Sequence, residues 1–231
     1  MSIQRKETYN CPNCNHTQEF QFWTSVNAQL SPEANEKILD RTFYSQTCDS
    51  CGATTEVVYT FLYNDMENRL MVYVVAASDS ENQAEQIREI NKVSVTMTDP
   101  ANDINALVGS IADEYTFRIV TDLIQLIEKI AISKAGLDDR LVEVVKAISL
   151  GNAYEQVKDT GISGVYFACE EDGGYQIVIC LGDGKTGAVS FEMAQYETLR
   201  EALMNDLEEH TPKGYALIDF RWAVKVLSKG S

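Results

Sequence analysis

Apolar and polar side chains alternate along four short segments in the first third of the chain, the pattern of strands with one buried face. The predicted strands cover residues 19–26, 42–46, 56–63 and 69–75. Between the first two, Ser31 can cap a helix and Pro32 suits its first position, so a short helix is predicted up to Asp40. The turn sequence NDMEN joins the last two strands into a predicted hairpin.

In the middle of the chain the apolar spacing changes to three and four residues, which indicates helices. Residues 114–135 form the first predicted helix, and Gly136 ends it. Asp138 caps a second predicted helix, residues 138–150, and the short connection predicts an antiparallel helical hairpin. Residues 77–103 are polar and poor in aromatic side chains, so we predict a linker there.

Alternation with a period of two returns at residue 164. Two β-rich segments flank Asp172, Gly173 and Gly174, which is a hairpin turn signal, and a third strand follows the glycine-rich sequence GDGKTG. A helix is predicted at 194–208, and the last apolar segment, YALIDFRWAVKVL, is predicted as a strand. The order β-β-β-α-β favours an antiparallel sheet with helices on one face, which places the chain in the α+β class.

Four of the six cysteines form two Cys-x-x-Cys pairs, which together supply four soft ligands for a tetrahedral metal ion. The four are Cys11, Cys14, Cys48 and Cys51. Each pair can present both sulfurs from one tight turn, which tends to place the residue after its second cysteine at positive φ; these residues are Asn15 and Gly52. We predict one structural Zn2+ ion, because four committed thiolates leave no open position for water.

Other interpretations of the four cysteines stay open. A Cys-Pro-x-Cys pair can exchange electrons when it opens a helix after a strand, but no strand is predicted before Cys11 and a strand pattern follows it. Unligated core cysteines and a disulfide are further alternatives, and iron is an alternative to zinc. The segment between the pairs, residues 15–47, is longer than in a compact ribbon, and the inserted helix accounts for the excess. His16 could replace a cysteine, although a surface position is favoured.

These residues carry a resemblance to a known family. CPNC near the N-terminus, the long β-helix-β insert, TCDSCG and the hairpin LYNDMENRLMVYVV resemble the bacterial CpXC family of zinc-ribbon-like domains, which has no assigned function. The resemblance covers residues 8–76. It implies that Cys11, Cys14, Cys48 and Cys51 are the metal ligands, and it implies no reaction and no substrate.

The predicted organisation has three parts. Residues 1–76 form a zinc-ribbon-like β module with a helical insert, and residues 77–103 are the linker. Residues 104–231 form an α+β domain, with the helical hairpin at 114–150 and the β-β-β-α-β segment at 164–228.

Charge and hydropathy restrict the partners. The formal net charge is -16 at pH 7, which repels phosphate backbones and makes nucleic acid an unfavourable partner. The N-terminal MSIQRKETYN has no apolar segment of a secretory signal. The most apolar long stretch, residues 119–132, contains three charged residues, so no membrane span is expected. A cytoplasmic, reducing location is therefore expected, where cysteines favour metal over disulfides.

The remaining candidate residues are assigned structural positions and no chemical role. GDGKTG lacks the glycine that a P-loop needs at position 179 and precedes a strand pattern, so a hairpin turn is predicted. Cys169 and Cys180 are predicted as small core residues, and His210 as an exposed helix cap. The carboxylate pairs are predicted to be solvated; they are Asp138 with Asp139 and Glu170 with Glu171.

The chain has two histidines, which leaves few candidates for the general base of a nucleophilic triad. We therefore nominate no catalytic or cofactor-binding residue. The favoured function is therefore a non-enzymatic cytoplasmic zinc-binding protein that acts as an interaction or adaptor module for an unidentified protein partner. One alternative is a small-molecule sensor or enzyme with a pocket in the C-terminal domain. Another is nucleic-acid binding through the ribbon.

Overall fold

The computed structural model describes residues 2–76, 80–97, 114–157, 159–170 and 172–229. The chain divides into two units, Met1–Ile127 and Glu128–Ser231. The described ranges contain ten strands and six helices, and the predicted α+β class is confirmed.

The first unit is built on a five-stranded sheet. Its strands and helices are β1 (Ile3–Asn10), β2 (Thr17–Asn27), α1 (Pro32–Leu39), β3 (Ser45–Thr47), β4 (Thr54–Glu56), β5 (Phe61–Asp65), β6 (Leu70–Val74), α2 (Ser80–Met97) and β7 (Thr116–Val120). The order in the sheet is β1-β2-β5-β6-β7. β2 runs parallel to β5 and β6 parallel to β7, whereas the other two neighbouring pairs are antiparallel. β3 and β4 form a separate hairpin.

Alternating side chains set the core face of this sheet, as the sequence predicts. Phe61 and Tyr63 of β5 are buried, and so are Val72 and Val74 of β6, while the residues between them are partly exposed. A pleated strand sends successive side chains to opposite faces, so this alternation turns the apolar residues inward. The hairpin predicted around NDMEN is confirmed.

The second unit combines helices with a three-stranded antiparallel sheet. Its elements are α3 (Leu123–Lys134), which begins in the first unit, α4 (Asp139–Val157), β8 (Ile162–Cys169), β9 (Tyr175–Leu181), β10 (Thr186–Ser190), α5 (Met193–His210) and α6 (Phe220–Lys229). The sheet order is β10-β9-β8. Its core joins Phe167 and Ile177 of the sheet to Leu141 and Val145 of α4. The predicted three-strand meander and the helix after it are confirmed.

The predicted helix 114–135 is wrong in its first part. Residues 116–120 form β7, which pairs in parallel with β6, so that Ile119 lies opposite Tyr73. The helix begins only at Leu123. This helix ends as predicted, with Gly136 after it at a φ of 70°. The next helix has the predicted cap, because the Asp138 carboxylate accepts the amide N–H of Arg140. Periodicity alone does not separate a short buried strand from one face of a helix.

The final apolar segment is a helix, so the predicted strand is wrong. Oδ1 of Asp219 accepts the amide N–H of Trp222 at 2.8 Å and caps α6 at its N-terminus. Phe220, Ala223 and Leu227 then recur at helical spacing and contribute to the core of this unit. The second unit therefore has the order β-β-β-α-α after α4.

Cys169 and Cys180 lie on the paired strands β8 and β9. Cys169 lies opposite Tyr175 and Cys180 opposite Gly164, because the connection includes Glu170 to Gly174 and is closed by a hydrogen bond between their backbones. Cys169 is exposed at the end of its strand and Cys180 is partly exposed, so the prediction that both are core residues is wrong. They form no disulfide in the structure.

Several predicted boundaries shift. The segment predicted as one strand at 56–63 is divided between β4 and β5, and the strand predicted at 42–46 is replaced by β3, which begins at Ser45. Within the predicted linker 77–103, α2 occupies Ser80–Met97, and the residues on either side of it lie outside the described ranges. The division into two units also differs from the predicted domains, because β7 belongs to the first sheet.

None of the helices in the described part of the chain has the length and apolar character that crossing a membrane requires.

Candidate metal centre

Two matching turns carry the cysteine pairs at the tips of two hairpins. Residues 11–16 join β1 to β2, and residues 48–53 join β3 to β4. We call these two turns the knuckles, and the two hairpins with their knuckles the ribbon. The inserted segment with α1 connects the hairpins, so the long spacing between the cysteine pairs lies outside the knuckles.

Both knuckles have the same backbone hydrogen bonds. The amide of the first cysteine donates to the carbonyl five residues later, and its carbonyl accepts the amide four residues later. The distances are 2.9 Å from Cys11 N to His16 O, 2.8 Å from Asn15 N to Cys11 O, 2.9 Å from Cys48 N to Ala53 O and 2.9 Å from Gly52 N to Cys48 O. The φ angles of Asn15 and Gly52 are 57° and 72°, which confirms the left-handed positions predicted from the sequence.

The structure brings the four cysteine sulfurs together. All four Sγ atoms lie within 4.8 Å of one another. Across the knuckles, Sγ of Cys11 lies 3.7 Å from Sγ of Cys51, and Sγ of Cys14 lies 3.7 Å from Sγ of Cys48. A metal–sulfur bond of about 2.3 Å in a tetrahedron requires sulfurs about 3.8 Å apart, so the donor set and its spacing fit one ion.

The two cysteines of each knuckle differ in exposure. Cys11 and Cys48 are buried, whereas Cys14 and Cys51 are exposed. The amide side chain of Asn13 donates to Sγ of Cys51 at 3.5 Å, and this hydrogen bond, together with the backbone of Ala53 and the neighbouring sulfurs, lowers the pKa of the Cys51 thiol to about 6. The backbone of His16 lowers the pKa of the Cys14 thiol, but desolvation and the other three sulfurs outweigh it and raise that pKa to about 12. Crowded thiols without a cation cannot all ionise, and a central cation removes that conflict.

Aromatic rings connect the ribbon to the core of the first sheet. Tyr9, next to the first knuckle, contacts Phe20, which contacts Phe22, and Phe22 contacts Tyr59. The row continues through Phe43, whose ring centroid lies 4.7 Å from that of Phe61. Ring contacts of this kind add to the stability gained from burial, so the knuckle end and the sheet support each other.

A family model described as CpXC protein matches residues 9–146, which is more than half of the chain. The match includes both knuckles. The chain belongs to the CpXC family. The resemblance found in residues 8–76 is therefore confirmed, and the match continues through α3 to Lys146 in α4. No curated protein and no solved structure matches this CpXC chain significantly.

The structure separates the other predicted candidates from the metal centre. His16 is exposed, and among the described residues the four cysteines alone form a group that could hold a metal ion. GDGKTG contains the turn between β9 and β10, as predicted: residues 182–185 form it, and Lys185 is held by Asp183 at 2.8 Å. His210 is exposed in the last turn of α5. Strand β1 precedes Cys11, so the expectation that no strand comes before this cysteine is wrong. The segment after the pair is strand β2, whereas a pair that exchanges electrons would be followed by a helix.

The sequence analysis missed a group of buried charges in the second unit. Five side chains, each less than a tenth exposed, form this charged cluster: Glu128, Lys129, Asp139, Glu143 and Lys146. The prediction that Asp139 is solvated is wrong, because its Oδ2 lies 2.9 Å from Nζ of Lys129. Asp138 is partly exposed and caps α4, Glu170 is exposed, and Glu171 lies outside the described residues. The signal in the sequence is the interruption of an apolar helix by Glu128 and Lys129.

Ion pairs link the charged cluster from end to end. Lys129 contacts Asp139 and Glu143, each at 2.9 Å. Lys146 contacts Glu143 at 2.9 Å and Glu128 at 2.8 Å. Oε1 of Glu128 also accepts the amide N–H of Phe167 in β8 at 2.6 Å. The cluster thereby joins α3, α4 and the sheet of this unit.

Burial and the neighbouring opposite charges have opposing effects on the pKa values of Glu128 and Lys129. Burial raises the pKa of Glu128, and the opposing charge of Lys146 does not fully offset it. Burial also lowers the pKa of Lys129, but the charges of Asp139 and Glu143 outweigh it and raise that pKa. Lys129 is therefore held as an ammonium ion by its two carboxylate partners.

Proposed function

We propose that the CpXC chain binds one structural Zn2+ ion through Cys11, Cys14, Cys48 and Cys51. The observation that supports this most is the position of the four Sγ atoms, all within 4.8 Å of one another at the tips of two matching knuckles. Thiolates are preferred ligands of zinc, and four of them complete its tetrahedral coordination. Paired knuckles of this form can hold zinc or iron, and we favour zinc because a closed tetrahedral site of four cysteines is a common form of structural zinc.

In this proposal the ion stabilises the fold. A four-thiolate site has no open coordination position, so it contributes folding energy and does not activate water. The short hairpin of β3 and β4 has only three residues in each strand, and a hairpin of this size is marginal in water without further support. Cross-linking the two knuckles through one ion supplies that support.

We further propose that the protein is non-enzymatic and serves as an interaction module for a protein partner in the reducing cytoplasm. Support comes from the ribbon surface, where the rings of Tyr9, Phe20 and Phe22 are only half-buried. Aromatic side chains are enriched in protein interfaces. The net charge of -16 disfavours nucleic acid as the partner, and thiolates persist in a reducing compartment.

The test is affinity purification of the full chain from its own cells at native expression, with co-purifying proteins quantified. We expect a stoichiometric partner with the unaltered chain that is lost with Cys14→Ser combined with Cys51→Ser. Cys169→Ser combined with Cys180→Ser is the matched control, because it also removes two cysteines but leaves the knuckles unchanged, and it should retain the partner.

A third variant separates the folding role of the ion from the contact surface. The Phe20→Ala variant should keep its metal, measured on the purified protein. It should lose the partner, because the substitution removes a half-buried ring from the ribbon surface. If the same proteins co-purify in equal amounts with all four chains, the interaction proposal is wrong, whatever the metal content.

A further inference from the structure

Among the strands that the structure describes, β10 has a neighbour on one side only and forms an open edge of the three-stranded sheet. It lies at the end of the order β10-β9-β8, and all five of its residues are exposed. Its sequence, TGAVS, contains no charged residue and no proline. A row of unpaired backbone donors and acceptors at such an edge can pair with another strand.

The register shows which backbone groups are free to do so. Hydrogen bonds from Leu181 N to Lys185 O and from Phe191 N to Tyr175 O lie at the two ends of the β9–β10 ladder. Antiparallel pairs alternate between bonded and non-bonded positions. The amide groups of the odd residues of β10 therefore face β9, and those of the even residues face the open edge. The outward residues are Thr186, Ala188 and Ser190.

The other long edge strands of the described sheets have features that oppose further pairing. β1 carries Arg5, Lys6 and Glu7 and has a register shift between Ile3 and Gln4. β8 has a register shift after Ile162, and β7 has a largely buried side-chain pattern. Charges and bulges are the usual protection of an exposed edge. β10 has neither.

We propose that β10 pairs antiparallel with β10 of a second copy of the chain, about a twofold axis at Ala188. In this register Thr186 of each copy faces Ser190 of the other, so the outward amides meet in bonded pairs. No charged residue faces a like charge within the strand, because the strand has none. The pairing joins the two small sheets into one six-stranded sheet.

The flanking charges favour a second copy arranged in this way. Lys185 precedes β10 and Glu192 follows it. Antiparallel pairing brings the beginning of one strand to the end of the other, so each Lys185, which is 78% exposed beside its own Asp183, comes near Glu192 of the second copy. The total charge of -16 on each chain opposes association, and salt screens this repulsion. Salt also screens the two Lys185–Glu192 attractions, but the repulsion between two chains of charge -16 is the larger effect, so the dimer should become stronger as salt concentration rises.

Sedimentation equilibrium of the full chain over roughly a hundredfold range of concentration, at low and high salt, tests the proposal. We expect a reversible monomer–dimer equilibrium that shifts toward dimer at high salt. Ala188→Pro should weaken dimerisation by at least about tenfold, because proline removes an outward N–H and leaves the β9 ladder intact. Ala188→Lys should do the same by placing two like charges opposite each other.

Ala188→Ser is the matched control and should dimerise like the unaltered chain. Unfolding followed through the fluorescence of Trp222, in a Trp23→Phe background, verifies that the second unit of each variant is folded. A chain that stays monomeric at every concentration overturns the proposal and leaves the edge to an extended segment of another protein. A dimer that Ala188→Pro and Ala188→Lys leave unchanged also overturns it, because its interface then lies elsewhere.

Discussion

Removal of zinc from the full chain is expected to expose the knuckle amides to hydrogen exchange. The amides of Cys11, Asn15, Cys48 and Gly52 are hydrogen-bonded within the knuckles, and the proposed ion would hold the two knuckles together. Structural zinc contributes about 10–16 kcal/mol to zinc-finger folding at neutral pH, as much as the whole stability of a typical domain. Exchange measured by mass spectrometry before and after chelation should therefore show loss of protection at 11–16 and 48–53.

The amides of the five-stranded sheet are the internal control for the knuckle amides in the same experiment. Tyr63 and Val72 are fully buried in the five-stranded sheet and pair directly with each other, so their amides should lose much less protection. Cys14→Ser should reproduce the effect of chelation, whereas Cys169→Ser should behave like the unaltered chain. Unchanged exchange at both knuckles, in protein shown to be free of metal, would contradict the structural role of the ion.

The second large effect is expected from Lys129→Met in the charged cluster. Lys129 is about 3% exposed and lies 2.9 Å from both Asp139 and Glu143, so its removal takes an ammonium ion from two buried carboxylates, of which Glu143 keeps Lys146 at 2.9 Å. Breaking a buried ion pair in this way costs about 3–5 kcal/mol. The free energy of unfolding of the second unit should fall by this amount near pH 7, measured by urea denaturation and the fluorescence of Trp222 in a Trp23→Phe background.

The effect of Lys129→Met should depend on pH in a defined direction. Lys129→Met removes the ammonium ion beside two buried carboxylates, and a buried carboxylate that has lost its cation costs free energy only while it is ionised. A carboxylate with a raised folded-state pKa destabilises the fold at pH values above its unfolded-state pKa. The loss in free energy of unfolding caused by Lys129→Met should therefore be complete at pH 7 and should shrink as the pH falls toward 4. A deficit that is constant over this range would contradict the proposed cause.

Two further variants show whether the effect comes from the buried pair. Lys185→Met is the matched control: Lys185 also pairs with a carboxylate, Asp183, but is 78% exposed, so its loss should cost less than about 1 kcal/mol. Adding Asp139→Leu to Lys129→Met removes both partners and should restore part of the lost stability. Equal losses from Lys129→Met and Lys185→Met would show that the charged cluster contributes no more than a surface pair.

The knuckles could be predicted from the sequence because their chemistry is local. The Cys-x-x-Cys spacing, with Asn15 and Gly52 after the second cysteines, specifies the turn and its positive φ within a few residues. The hairpin turn near Asp172 and the helix end at Gly136 are local in the same sense. In each case the residue type restricts the backbone directly.

The errors occur where distant residues decide the structure. Residues 116–120 are apolar enough for a helix face or a buried strand, and pairing with β6 selects the strand. The charged cluster has the same origin, because Glu128 and Lys129 find their partners in α4, up to eighteen residues away. For α6 a local signal was available: Asp219 is a helix cap, and the apolar residues after it recur at three and four.

The most direct test of the zinc proposal is the metal content of the purified full chain. Mass spectrometry of the elements, together with the visible absorption spectrum, is predicted to give one zinc per chain, negligible iron and no visible band. The variant Cys14→Ser combined with Cys51→Ser should lose the ion, and Cys169→Ser combined with Cys180→Ser should keep it. A chain that holds no metal, holds iron with a visible thiolate band, or keeps its zinc without Cys14 and Cys51 would contradict the proposed site.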